Sequence, residues 1–136
     1  MNTLAVNLAV EAAIDYAQLT ATKVGDHIID MAGHYQLVFL IHVHAIGTLT
    51  AAHYFTPVVY EGDNSALSDG VAITNAARIV ATDVLDDDTT AEDVIKVEVT
   101  LGTKRYMRLH LVETDTADVT LSAVAVKGDA RVLPTS

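Results

Sequence analysis

The sequence contains no cysteine and no tryptophan, and aromatic residues make up only 5% of its 136 positions. Without cysteine, disulfides and thiolate metal sites are excluded, and cysteine usage says nothing about redox compartment. Basic residues are scarce as well: 8 Lys and Arg stand against 18 Asp and Glu, for a formal net charge of -10. Phosphate backbones and anionic bilayers are gripped by concentrated Lys and Arg, so neither a nucleic acid nor a membrane is an expected partner. No apolar run approaches the roughly 18 residues of a membrane-spanning helix, and Met1-Asn2-Thr3-Leu4-Ala5 lacks the basic start of a secretory signal. There is no G-x-S-x-G nucleophile and no glycine-rich phosphate loop. The expectation is a protein made and used in soluble form, without catalytic residues or a cofactor.

What is present is aliphatic. Apolar residues are 51% of the chain, mostly Ala, Val, Leu and Ile, which suits closely packed sheets better than a large ligand pocket. A chain of this length is expected to form one domain that buries roughly two thirds of its unfolded surface. Residues 1–20 read two ways. Val6, Val10, Ile14 and Ala17 fit a helical face and the alanine content favours helix, whereas Leu4, Val6, Leu8 and Val10 fit a strand. This segment is a core element or an arm, and residues 21–136 form the main domain. His27 to Met31 is a short strand. Tyr35 to Ile46 is a central one, with Leu37, Phe39, Ile41, Val43 and Ala45 on one face and Val38, Leu40, His42 and His44 on the other. Gly47-Thr48 turns it into a strand from Leu49 to Tyr60, where Pro57 marks an edge or a bulge. Val71 to Val84 is a strand pair or a short helix around Ala76-Ala77-Arg78. Thr89 and Glu92 have capping-box spacing, with room for about one helical turn. Strands follow at Ile95–Leu101, Arg105–Val112 and Asp118–Val126. Short strands at regular turn spacing predict an antiparallel β-sandwich of jelly-roll-like form, with an N-terminal helix or arm as an addition.

The run Gly102-Thr103-Lys104-Arg105-Tyr106-Met107-Arg108-Leu109 reads as a hairpin between two of these strands. A two-residue turn would put the apolar residues of the two strands on opposite faces, so an odd loop is expected. With Gly102 to Lys104 as the loop, Val99 faces Met107, Val97 faces Leu109 and Ile95 faces Leu111; Glu98 then pairs with Arg108, and Lys96 with His110. A loop of Thr100, Leu101 and Gly102 keeps the same faces. Tyr106, Arg105, Arg108 and Glu98 are therefore the candidate structural or interface residues, with the arginines pairing carboxylates inside the fold or across an interface.

Two clusters raise metal chemistry. His42 and His44, at i and i+2 of a strand, point the same way and can share an ion, with His110 or His53 as a further ligand. No carboxylate stands at a recognisable spacing to complete the set. Asp83, Asp86, Asp87, Asp88, Glu92 and Asp93 offer oxygen ligands for calcium, but without the spacing and glycine of an EF-hand loop they read as a solvated acidic loop.

From Tyr35 onward the order of elements resembles the small structural proteins of tailed-phage head modules, capsid decoration (cement) proteins among them. The resemblance lies in the strand Tyr35 to Ile46, Gly47, the strand Leu49 to Tyr60, the loop Glu61-Gly62-Asp63-Asn64-Ser65, the run Gly102-Thr103-Lys104-Arg105-Tyr106-Met107-Arg108, and the closing stretch Val119 to Pro134. It covers roughly the last hundred residues. The loop order Asp63-Asn64-Ser65 and the His42-Val43-His44 strand depart from that pattern. The resemblance implies a non-enzymatic protein made in the host cytoplasm, carried on the capsid exterior of the virion as a homotrimer, and bound to the major capsid protein. An acidic surface is repelled by packaged DNA, which agrees with an exterior position. Other readings are a displayed carbohydrate- or receptor-binding module, for which aromatics are few, and a small metalloenzyme of cupin-like shape using His42 and His44.

Overall fold

Ten strands and no α-helix make up the described part of the computed structural model, residues 8–128 with the exception of Thr82. They are β1 (Leu8–Leu19), β2 (Lys23–Val24), β3 (Ile29–Asp30), β4 (Gln36–Thr48), β5 (Tyr54–Gly62), β6 (Val71–Ala72), β7 (Ile79–Ala81), β8 (Val94–Thr100), β9 (Tyr106–Thr114) and β10 (Asp118–Gly128). The first sheet has the order β1-β10-β4-β8-β7. The second is β2-β9-β5-β6, with β3 also on β9. Every strand pair is antiparallel.

The pairs β1–β10, β2/β3–β9, β4–β8 and β5–β6 are nested like one long hairpin rolled into two facing sheets. With β2 and β3 taken as one broken edge strand and β7 as an extra strand, this is jelly-roll topology. The alternation of each strand explains the packing. Leu37, Phe39, Ile41 and Val43 of β4, Ile95, Val97 and Val99 of β8, and Met107, Leu109 and Leu111 of β9 all enter one core with Phe55, Val59, Leu121 and Ala125. Aliphatic side chains fill the space between the sheets. At one end Gly25 lets the β2–β3 connection lie on β9: a Cβ there would sit 2.3 Å from the Leu109 carbonyl oxygen.

The edges are blunted in the ways that discourage edge-to-edge pairing. In the first sheet β7 has three residues and β1 carries two register shifts; in the second, β2, β3 and β6 have two residues each. Pro57 lies in β5 opposite Leu111 of β9, on a stretch that β6 does not cover, since β6 pairs only with Tyr60 and Glu61. That is where a missing N–H costs nothing.

Three expectations are decided by the structure. Of the two readings left open for the N-terminal segment, residues 8–19 take the strand, at a sheet edge; the first seven residues lie outside the described part. The segment around Ala76-Ala77-Arg78 is a turn between two short strands in different sheets, and the stretch 89–93 is likewise turn, without a helical cap. The third concerns the hairpin. β8 and β9 do not pair: β8 lies between β4 and β7, and β9 between β5 and the β2/β3 edge, so residues 101–105 cross from one sheet to the other. Val97 and Leu109 do face the core, but from opposite walls. Glu98 sits beside Val38 and Val80, not Arg108, and Lys96 sits beside Leu40, not His110. Two strands with the same apolar alternation satisfy a core equally well as a hairpin or as an arch, and alternation alone does not choose between them.

Candidate interaction surface

The outer face of the first sheet is apolar where an exposed sheet face is ordinarily polar. Across its width Val10, Val126, Val38, Glu98 and Val80 form one row, and Ala12, Val124, Leu40 and Lys96 the next. Val10 is 66% exposed, Val94 57% and Val80 54%. The only charges in these rows, Lys96 and Glu98, lie 3.1 Å apart and neutralise each other. Two grooves run across the face. One, of about 400 Å³, is lined by Tyr35, Gln36, Val38, Glu98 and Thr100; the other, of about 330 Å³, by Leu40, His42, Val94, Ser122 and Val124. Strands about 4.8 Å apart make the first row, over five strands, roughly 20 Å wide and the second, over four, roughly 15 Å, and a contiguous exposed apolar patch is a candidate interaction site.

His42 and His44 project from the same outer face, away from the core. Their ring centroids are 4.2 Å apart. The structure supplies the carboxylate that the sequence spacing does not reveal: Glu92 Oε2 lies 3.0 Å from His42 Nε2. Glu92 precedes β8, and its N–H donates to the Val43 carbonyl at 2.7 Å, while Val43 N–H donates to Asp93 O at 2.9 Å. This kink holds Glu92 at φ 72°, a left-handed conformation that costs a non-glycine residue on the order of 1–2 kcal/mol. His44 Nε2 lies 2.9 Å from Ser122 Oγ, and the Tyr16 ring meets the His44 ring edge-on. The other two histidines of the sequence expectation are elsewhere. His110 is on the outer face of the second sheet, stacked on Tyr60 at 4.1 Å, and His53 lies beside Thr116 and Asp115. Burial and the neighbouring Arg108 guanidinium push His110 below the usual imidazole range, which favours its neutral form.

The acidic loop is largely turn chemistry. Asp86 Oδ1 accepts from Asp88 N–H, Asp93 caps Thr90, and Thr89 Oγ1 accepts from Asp86 N–H. Carboxylate oxygens of Asp86, Asp87 and Asp88 lie within 4.8 Å of one another, and a surface acidic cluster of this kind is common without an ion.

The Gly102–Leu109 run works as a clasp at one end of the sandwich. Lys104 Nζ reaches Asp63 Oδ2 at 3.0 Å. Arg105 donates from Nε and Nη2 to the two carboxylate oxygens of Asp30, at 2.8 and 2.9 Å, and its guanidinium lies 5.1 Å from the centre of the Tyr106 ring. Arg105 thus pairs with Asp30, not with Glu98, while the Nε of Arg108 is buried without a partner among the described residues. Two further ties escaped the sequence reading. Arg78 makes a bidentate pair with Glu61, at 2.8 and 2.7 Å. The buried Lys127 spans Glu11 Oε2 at 2.9 Å and the Asp30 carbonyl oxygen at 2.8 Å.

The Arg105 hydrogen bonds hold the Asp30 carboxyl down to about 2, from an ordinary 3.8, against the opposing effect of burial. A carboxyl depressed in the folded state contributes stability that is full above its unfolded pKa and is lost as pH falls toward its folded one. Stability supplied by Asp30 is therefore expected to disappear between about pH 4 and pH 2. Urea unfolding at pH 7, 4 and 2.5 should show a weaker acid dependence for Asp30→Asn than for the wild type. Equal dependence in the two proteins would contradict the assignment.

The sequence matches no protein-family model and no curated protein. In fold, the chain resembles the crystal structure of the SPBc2 prophage-derived protein YomS, with a TM-score of 0.54 at 15% identity over 93% of this chain and 98% of that one. The match spans almost the whole of both chains, so the two share one β-sandwich fold, and the structural neighbour is a protein of prophage origin.

Proposed function

We propose that this protein is a structural component of a tailed-phage virion, a decoration protein that docks on the outside of the assembled capsid and reinforces it. The observation that carries the reading is the apolar outer face of the first sheet. On a molecule of net charge -10, the two rows through Val38 and Leu40 carry only the ion-paired Lys96 and Glu98, so contact along them leaves no single charge unpaired. The occupant is the major capsid protein, displayed as a repeating outer lattice. A prophage-derived structural neighbour and the order of elements from Tyr35 onward support the same assignment. Three copies around a rotation axis repeat one patch and match a three-fold position on a shell.

The test is co-sedimentation of the purified protein with assembled shells. Saturable binding at a fixed ratio to the major capsid protein is expected, and mass measurement of the free protein should give three chains. Failure to bind shells, or absence from purified virions, would contradict the proposal.

One observation favours a second reading, a displayed carbohydrate- or receptor-binding module. Tyr54 and Tyr60 of β5 and Tyr106 of β9 share the outer face of the second sheet, with Tyr60 opposite Arg108 and stacked on His110. Glycan binding lost in Tyr60→Ala would support that reading.

A further inference from the structure

We infer that His42, His44 and Glu92 form a binding site for a divalent ion of the zinc class on the outer face of the first sheet. The inference concerns this chain alone and stands whether or not the protein docks on a capsid.

The donor set is the first argument. One ligand atom from each of the three residues lies within 4.8 Å of the other two. Two imidazoles and one carboxylate are a known zinc set, one that leaves a coordination position open. With bonds of 2.0–2.1 Å, tetrahedral donors stand about 3.3 Å apart, so the three side chains need only close around an ion. His42 Nε2 and Glu92 Oε2 are already at 3.0 Å. Nitrogen donors select zinc and its transition-metal neighbours over magnesium and calcium, which take oxygen.

The support around the donors is the second argument. His42 is paired on both sides, with Ser122 of β10 and Val94 of β8, and His44 follows on the same strand at the register shift between Thr120 and Leu121 of β10. The carboxylate is delivered from fifty residues away by a backbone kink whose two hydrogen bonds to Val43 set its position, and Glu92 keeps its left-handed φ there. Ser122 Oγ, on the neighbouring strand, meets His44 Nε2 at 2.9 Å; with the ion taken by Nδ1, the serine is an outer partner of the kind that orients metal-binding imidazoles. A hydrogen bond between His42 and Glu92 alone requires neither His44 nor Ser122. The half-exposed position of the histidines leaves the remaining coordination to water or to a group from a docked molecule.

The test is calorimetric titration of the full chain, stripped of metal, with zinc chloride. One ion per chain is expected, at an affinity tight enough to raise the melting temperature measurably at about 100 µM zinc. His44→Ala and Glu92→Gln should each weaken binding roughly tenfold or more, and Ser122→Ala should weaken it less. Cobalt in place of zinc should give the visible absorption of a four-coordinate ion. All of these side chains are on the surface, and circular dichroism establishes that each variant is folded. The inference is overturned by absence of binding at that zinc concentration, by equal binding in the His42→Ala, His44→Ala double variant, or by magnesium or calcium competing on equal terms.

Discussion

Arg78→Ala is expected to lower the unfolding free energy by about 3 kcal/mol, near the lower end of the range for breaking a buried ion pair. Arg78 stands on the turn before β7 and joins Glu61 of β5, so the pair ties the two sheets together near the sandwich end. The side chains are 23% and 14% exposed, which leaves Glu61 little water once its partner is gone. The guanidinium also donates from Nε to the Thr100 carbonyl at 3.2 Å, and Thr100 N–H returns a 2.7 Å bond to Arg78 O. Partial water access argues against the upper end of the range. For a domain of this size the loss corresponds to a melting-temperature drop of roughly 10 °C. The double variant Glu61→Leu, Arg78→Met should recover most of it, since the cost lies in the stranded carboxylate rather than in the pair itself. A single variant that melts within about 2 °C of the wild type would contradict this account of the pair.

The pair Val10→Asp and Val124→Asp should weaken docking by at least about 100-fold, or roughly 2.7 kcal/mol. Each substitution places a carboxylate in one of the apolar rows, and burying an unpaired charge costs more than the lost contact. The two positions lie on β1 and β10 within the apolar rows, 66% and 37% exposed, so the fold loses no core packing. Stability should change by only about 1 kcal/mol, the span of strand preferences. Val71→Asp is the control. Val71 is 67% exposed on β6 of the other sheet, and its substitution should leave docking unchanged. Equal weakening by the control would point to net charge rather than to this face.

Much of the fold was legible because the signal was local. Alternation in Leu37-Phe39-Ile41-Val43, in Ile95-Val97-Val99 and in Met107-Leu109-Leu111 gave the strands and their inward faces. Partner choice is non-local. The same alternation serves a hairpin or an arch, so β8 and β9 were read as neighbours when the longer strand β4 takes β8 instead. The N-terminal segment stayed open between strand and helix for a different reason. Register shifts in β1 bring Ala13 and Ile14 inward side by side, which breaks the two-residue period and imitates the spacing of a helix. At the candidate sites, His42 and His44 were visible from their spacing, but Glu92 was not. Its approach depends on a left-handed residue and two hydrogen bonds to Val43. The apolar outer face was written in Val38, Leu40, Val124 and Val126, yet it emerges as one surface only once β10 is known to lie between β1 and β4.

Electron cryo-microscopy of the decorated particle tests the central claim most directly. The account predicts density for this sandwich on the capsid exterior, grouped in threes, with the face bearing Val38, Leu40 and Val124 turned toward the shell. Particles without that density, or with the second sheet's tyrosine face against the shell, would contradict it.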